Sequence, residues 1–181
     1  MEEKYLPNVE DWDAFLAPYN QAIEELKIKL KGIRLQYRQK GKHAPIEFIT
    51  GRVKTPESIR EKMQVRKILT EDFLEGVQDI AGLRIMCQFV EDIFEVVRLL
   101  RQRNDFTIII ERDYIHQKKA SGYRSYHVVL EYPVQRIEGE ERILVEIQIR
   151  TLAMNFWATI EHSLNYKYKG EFPEIIHERL E

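Results

Sequence analysis

Glu146 lies in the middle of Arg142–Arg150, where Ile143, Val145, Ile147 and Ile149 alternate with Leu144, Glu146, Gln148 and Arg150. That period of two predicts a β-strand with the acid, the amide and the guanidinium on one face. A carboxylate at mid-strand is costly to bury alone, so it must meet water, a cation or a metal. An exposed strand face, a structural salt bridge and a functional site all meet that demand. Asp79 precedes the apolar run Gly82–Val90 in Gln78-Asp79-Ile80-Ala81-Gly82-Leu83-Arg84, where an Asx turn or cap is the plain alternative to a functional role. Two carboxylates from the ends or faces of adjacent strands are, however, the usual way to hold Mg²⁺ against a nucleotide. Ser121-Gly122-Tyr123-Arg124-Ser125-Tyr126-His127 sets a flexible glycine, an aromatic plane and hydrogen-bonding groups just before a strand. Such a run suits stacking on a base beside its phosphates, and equally suits a structural turn with partly buried tyrosines.

Cations cluster near these segments. Arg52–Lys67 holds six basic residues against two acidic ones, a local +4, and Arg112–Arg124 holds four against one, a local +3. The whole chain carries −2, so the remainder is −9. Two basic blocks in an otherwise acidic chain point to a confined polyanion site such as a nucleoside triphosphate pocket, although two solvated basic faces have the same charge. Neither G-x-x-x-x-G-K-[ST] nor G-x-G-x-x-G occurs, so phosphates must be held by side chains. One cysteine, Cys87, excludes Cys-rich zinc sites, and no two histidines flank a glutamate at i, i+4. No histidine is followed by Asp, which removes the His-Asp pair of metal-dependent phosphohydrolases, and no G-x-S-x-G elbow offers an acyl-transfer serine.

These residues need a scaffold. With 181 residues, 44% of them apolar, 8 Gly and 6 Pro, the chain reads as one ordinary globular domain, long enough to bury roughly 70% of its surface without metal or disulfide staples. The longest uncharged runs, Ala14–Ile23 and Thr151–Ile160, are ten residues each, about half of a bilayer span, and the acidic start lacks a signal peptide's basic region. The expectation is a cytoplasmic protein that does not engage membranes. Apolar residues from Trp12 to Tyr37 recur at spacings of three and four, predicting an amphipathic helical region bent or restarted at Pro18. A strand over Ile46–Val53 follows, then Thr55-Pro56-Glu57 caps a helix that runs to about Leu69. Gly82–Val90, Glu91–Asn104 and Phe106–Arg112 read as a β-α-β unit with its two strands paired in parallel. Ser125–Glu131 and Arg142–Arg150 are two more strands joined across Pro133–Glu141, and a helix over Leu152–Tyr168 closes the series. The fold class is therefore α/β, with α+β character: a single domain over residues 1–170, its mixed sheet of about five strands flanked by helices. Residues 171–181, with four Glu against one Arg, read as an acidic tail, and no period of 20 to 50 residues repeats.

Thr50-Gly51-Arg52-Val53-Lys54, Gln78-Asp79-Ile80-Ala81-Gly82-Leu83-Arg84, Ser121–His127 and Val145-Glu146-Ile147-Gln148-Ile149-Arg150-Thr151, followed by Trp157-Ala158-Thr159-Ile160-Glu161-His162, occur together and in that order. They resemble the synthetase domain of RelA/SpoT homologues across about residues 10 to 170. Without the hydrolase His-Asp pair or a regulatory domain, the chain looks like a small alarmone synthetase, the stand-alone class, of the Gram-positive branch. The resemblance implies a nucleotidyltransferase-like synthetase fold and a pyrophosphokinase that moves the β,γ-diphosphate of ATP to the 3′-hydroxyl of GTP or GDP, giving (p)ppGpp and AMP. It implies that Arg52 and Arg84 hold adenine between their guanidinium planes, with Lys54, Lys62 and Arg66, or Lys67 in its stead, on the ATP phosphates. Asp79 and Glu146 would bind Mg²⁺, with Glu146 also taking the 3′-hydroxyl proton. Tyr123 would stack on guanine, with Arg112, Lys119, His127 and Asn155 around the acceptor. Relatives of this class form tetramers, and the apolar stripe of the first helix fits such assembly. Lys27, Lys31, Phe48 and Thr50 are then candidates for a product-binding cleft between subunits, and some relatives bind single-stranded RNA or (p)ppGpp as regulation.

Two other classes fit the same residues. One is an RNA- or nucleotide-binding regulator in which Glu146 is structural. The other is a nucleotidyltransferase that attacks the α-phosphorus and releases pyrophosphate.

Overall fold

The computed structural model describes residues 3–117 and 121–168. A short 3₁₀ turn, Glu3–Tyr5, leads to helix α1, Trp12–Gln39, whose N-cap is Asp11: its carboxylate accepts the Ala14 N–H at 3.0 Å. Pro18 lies inside α1 and neither stops nor restarts it. The ring removes one backbone bond, while Tyr19, Ala22, Ile23, Leu26 and Leu30 bury the stripe on either side of the next turns and hold the helix in one piece. Strand β1 spans Phe48–Val53, and helix α2, Pro56–Arg66, starts with the Thr55 hydroxyl accepting the Ser58 N–H. It ends three residues before Leu69 because Lys67 takes the left-handed conformation, φ 52°. A 3₁₀ turn, Thr70–Asp72, and one turn of helix α3, Phe73–Gly76, precede β2, Ala81–Cys87. Then come α4, Val90–Arg101; β3, Thr107–Asp113; β4, Tyr126–Arg136; β5, Gly139–Thr151; and α5, Leu152–Tyr168. Residues 171–181, read above as an acidic tail, lie outside the described residues, as does Lys119.

The five strands form one sheet in the order β1-β2-β5-β4-β3. This corrects the expected β-α-β pairing: the strands flanking α4, β2 and β3, do not touch, and the parallel partner of β2 is β5. The β4–β5 hairpin inserts between them, antiparallel within itself and to β3. The hairpin is also longer than the sequence pattern indicated, since β4 runs through Pro133, which pairs opposite Arg142. Proline is confined to edges, and β4 is an edge from Tyr132 onward because β3 begins only at Thr107, opposite Glu131.

Alternation divides the sheet by chemistry. Leu83, Ile85, Val128, Leu130, Val145, Ile147 and Ile149 share one face and are buried with Ile23, Leu26 and Leu30 of α1 and Ile93, Val96, Val97 and Leu100 of α4. The approach of α1 is close at Gly51, where a Cβ would stand 2.7 Å from Ile23 and 2.8 Å from Leu83. Any larger residue there has to displace the Ile23 and Leu83 side chains. The opposite face carries Arg84, His127, Glu146, Gln148 and Arg150.

One ion cluster ties α1 to the loop after α4. Asp105 accepts from Arg103 and pairs with Lys29 at 2.9 Å, and these cations, Arg103 first, hold its carboxyl down at about 2. A carboxyl so depressed stabilises the fold above its ordinary value near 3.8, and that contribution disappears as pH falls toward 2. Asp105→Asn is therefore expected to lower Tm at pH 7, with the gap to the parent closing as acid is added between pH 4 and 2. A gap constant with pH overturns this account.

Candidate active site

The strand register builds the site before any side chain is considered. In one row across the sheet Thr50, Arg84, Gln148, His127 and Arg112 are consecutive partners on β1, β2, β5, β4 and β3. In the next row Arg52 is opposite Gly82, and Gly82 is opposite Glu146. Because Gly82 has no side chain, a pocket of about 230 Å³ opens between Arg52 and Glu146, lined also by Thr50, Asp79, Arg84 and Gln148. Both candidate metal carboxylates therefore face one cavity.

Asp79, just before β2, is held by Lys62 Nζ at 2.5 Å and Lys54 Nζ at 3.1 Å. Lys54 is fixed by its own backbone N–H, which donates to the Ile80 carbonyl at 2.8 Å, and Lys62 rides on α2, whose Ile59 and Met63 are buried. Burial acts to raise the Asp79 carboxyl, but the hydrogen bond and charge of Lys62 and then Lys54 outweigh it and leave it below the ordinary range. The Asx-turn alternative is thereby replaced by a charge cluster. Glu146 is different. Its side chain is 16% exposed and its described partners are His127 Nδ1 at 3.2 Å and Gln148 Nε2 at 3.2 Å, not a lysine or arginine. Burial pushes its carboxyl up and Asp79 nearby adds to that, yet the His127 and Gln148 contacts bring it below its ordinary value. It is ionised near neutrality and is held by polar neighbours that leave it chemically available.

A second cleft of about 510 Å³ adjoins the first and shares Arg52, Arg84 and Gln148 with it; Ser121, Tyr123 and Arg150 line it on the sheet side, and Thr159, Glu161 and Ser163 of α5 line it opposite. Gly122, at φ +74°, turns the chain so that Tyr123 reaches the sheet, in a conformation that favours glycine. The Tyr123 ring stands edge-on to His127 and Tyr114, and the Arg150 guanidinium lies 5.0 Å from its centroid. Burial lowers the Arg84 pKa, and Arg150 and Arg52 lower it further. Three guanidiniums concentrated in this way create a strong demand for an anion.

Not every expected residue converges. Arg52, Lys54, Lys62, Arg84, Asp79, Glu146, Tyr123 and His127 do. Arg112 closes the row on β3 and donates to Gln78 Oε1 at 3.4 Å. Asn155 lies in the first turn of α5 with its Oδ1 buried and without a described partner, an acceptor that calls for a donor. Arg66 and Lys67 are exposed at the end of α2 and line neither cavity. Lys27 pairs with Glu24 at 2.8 Å, Lys31 is exposed, Phe48 is 44% exposed, and Thr50 belongs to the first cavity. Gln148, Arg150 and Ser125 were missed as site residues. The period of two had already put the first two on the face of Glu146, but the pattern alone does not tell which neighbours bond.

Residues 51–171 match the family described as a region found in RelA / SpoT proteins. The chain is 61% identical over 170 residues to the GTP pyrophosphokinase YjbM of Bacillus subtilis (strain 168), covering 94% of this chain and 80% of that protein. It is 40% identical over 174 residues to the GTP pyrophosphokinase YwaC of the same organism, covering 95% and 83%. Among solved structures, small alarmone synthetase 1 from Bacillus subtilis bound to its product pppGpp superposes with a TM-score of 0.86 at 60% identity, covering 93% of this chain and 87% of that one. The same enzyme bound to AMPCPP gives 0.79 at 56% identity, covering 93% and 85%.

Proposed function

Because the chain belongs to the RelA/SpoT family, we infer that it is a GTP pyrophosphokinase: it transfers the β,γ-diphosphate of ATP to the 3′-hydroxyl of GTP or GDP, releasing AMP and forming (p)ppGpp. The observation that carries this reading is the pair of adjoining cavities with Asp79 and Glu146 in one, Tyr123 in the other, and Arg52, Arg84 and Gln148 between them. Transfer of this kind needs alignment and charge neutralisation more than covalent chemistry. In our reading Arg52 and Arg84 clasp the adenine, and Lys54 and Lys62 exchange Asp79 for the ATP phosphates. Arg66 takes part only if the end of α2 moves inward. Tyr123 carries the guanine, with Arg112, His127, Asn155 and Lys119 around the acceptor's phosphates and ribose.

The carboxylates of Asp79 and Glu146 are hard oxygen donors in one cavity, a donor set that fits a divalent cation completed by waters and phosphate oxygens. We propose Mg²⁺, which when bound would neutralise charge on the transferring diphosphate. Glu146 then accepts the proton of the 3′-hydroxyl, whose oxygen attacks the β-phosphorus while AMP leaves. Incubation with γ-labelled ATP and GTP tests the reading: the label is expected on the guanosine nucleotide. Label that stays on ATP supports a binding regulator, and label released as pyrophosphate supports attack at the α-phosphorus.

Base stacking is worth on the order of 1–3 kcal/mol. Tyr123→Ala is expected to raise KM for GTP roughly five- to over a hundred-fold, with KM for ATP little changed. Equal loss for both substrates, or a fall in Tm that accounts for the effect, overturns the stacking role.

The assembly is proposed as a homotetramer. The apolar stripe of α1 expected to serve assembly is instead packed against the core of its own chain, so the support passes to the other exposed apolar residues of α1 and β1, where Ile28 is 71% exposed, Leu35 56% and Phe48 44%. Light scattering at micromolar concentration is expected to give several times the 21.7 kDa of one chain; a monomer removes the proposal. Regulatory (p)ppGpp binding at Lys27, Lys31, Phe48 and Thr50, or single-stranded RNA binding, belongs to the same proposal. Among the described residues no helix is long and apolar enough to cross a membrane. We place the enzyme in the cytoplasm, where both nucleotide substrates are available.

A further inference from the structure

Arg150 is 5% exposed, and its described hydrogen-bond partners are all neutral: Ser125 Oγ, the Tyr123 hydroxyl and Gln148 Oε1. A buried cation among neutral groups is costly, so its position calls for a reason. Two hydrogen-bonded arms leave this guanidinium. In the first, an Arg150 N–H donates to the Tyr123 hydroxyl oxygen, the hydroxyl is 2.9 Å from His127 Nε2, and His127 Nδ1 is 3.2 Å from Glu146 Oε1. In the second, an Arg150 N–H donates to Gln148 Oε1 at 2.9 Å, and Gln148 Nε2 donates to Glu146 Oε2 at 3.2 Å. Arg150 and Glu146, roughly 13 Å apart along β5, are thus joined twice, once to each carboxylate oxygen.

The direction of both arms follows from elementary chemistry. A guanidinium has donors only and does not lose its proton, so the oxygens facing it must accept. Gln148 therefore turns its amide nitrogen toward Glu146. The tyrosine hydroxyl, accepting from Arg150, keeps its own O–H free to donate to His127 Nε2, which leaves Nδ1 to present an N–H to Glu146. With either arm reversed, a bare ring nitrogen or an amide oxygen would face a carboxylate oxygen, acceptor against acceptor.

We propose that Arg150 is a positioning residue for the acceptor: through Tyr123–His127 and through Gln148 it fixes the Glu146 carboxylate, while its guanidinium holds the Tyr123 ring against which the acceptor base stacks. Recognition of the base and activation of the hydroxyl then share one support. The proposal rests on the roles given above to Glu146 and Tyr123.

Steady-state kinetics of arm variants in the full chain test it. Tyr123→Phe keeps the ring but cuts the first arm, and Gln148→Leu cuts the second. Each is expected to lower kcat, by roughly 10- to 100-fold for a lost hydrogen bond to a charged group. Tyr123→Phe leaves KM for GTP within about threefold, because the stacking ring remains. Arg150→Met is expected to lower kcat and raise KM for GTP, with KM for ATP unchanged, and Arg150→Lys to recover part of the loss. Combined with Tyr123→Phe and Gln148→Leu, Arg150→Met adds little further loss in kcat, since both routes are already cut. A full additional loss in that background, or a rise in KM for ATP as large as that for GTP, overturns the proposal and makes Arg150 a direct phosphate contact. If Arg150→Met fails to fold, Arg150→Lys and the two arm variants decide by the same split between kcat and KM. Glu146→Gln measured alongside separates the two levels: near-normal activity there removes the site reading itself, whatever the arm variants do.

Discussion

Glu146→Gln is expected to lower synthesis by at least the 10²–10⁴-fold typical of a lost general base, with Tm held or slightly raised. The substitution keeps shape and length, removes the charge and turns one of the two accepting oxygens into a donor, which His127 meets by presenting a bare ring nitrogen or Gln148 by turning its amide over. In a structural salt bridge it would strand a cation and cost several kcal/mol, but the described partners of Glu146 are His127 and Gln148, so no lysine or arginine is stranded. Asp79, whose charge already acts against that of Glu146, would be relieved of repulsion. Turnover and thermal unfolding measured on one preparation check both halves. An unstable variant with near-normal activity per folded molecule defeats the catalytic assignment.

Asp79→Asn is expected to cost activity comparably but to behave oppositely in stability. Loss of one of two carboxylates facing the cavity removes several kcal/mol of metal-mediated charge neutralisation, on the order of 10²–10³-fold in rate. Raising the divalent cation concentration should recover part of it. Lys54 and Lys62, whose side chains are 15% and 16% exposed, then face each other without their counter-charge, so Tm falls in the nucleotide-free protein. ATP, whose phosphates supply the missing anion, is expected to restore much of that Tm. Activity within tenfold of the parent, or a Tm unchanged without nucleotide, overturns the assignment.

The contrast between these two acids was only half legible in the sequence. That Glu146 is a mid-strand carboxylate follows from alternation, and that Asp79 precedes an apolar strand is visible directly. Their convergence on one cavity depends on β2 and β5 lying side by side with Gly82 opposite Glu146. Local periodicity predicted β2 next to β3 instead, because sequence neighbours joined by a helix usually pair in parallel. The insertion of a hairpin from later in the chain is a non-local event that no window of residues records.

Residue order alone specifies the elements and the kit: the stripe of α1, the cap of α2, the period of two in β5, the concentration of arginine and lysine, the absence of a phosphate-binding glycine loop, and the ordered motifs that resemble RelA/SpoT synthetases. Each is a property of residues close together in the chain. Tertiary structure decided which of these meet. It brought Lys54 and Lys62 onto Asp79, left Arg66 outside both cavities, and linked Arg150 to Glu146 through Tyr123, His127 and Gln148. Such pairings are set by strand register, by the packing of α1 and α4 on the opposite face, and by the directionality of hydrogen bonds between residues far apart in sequence.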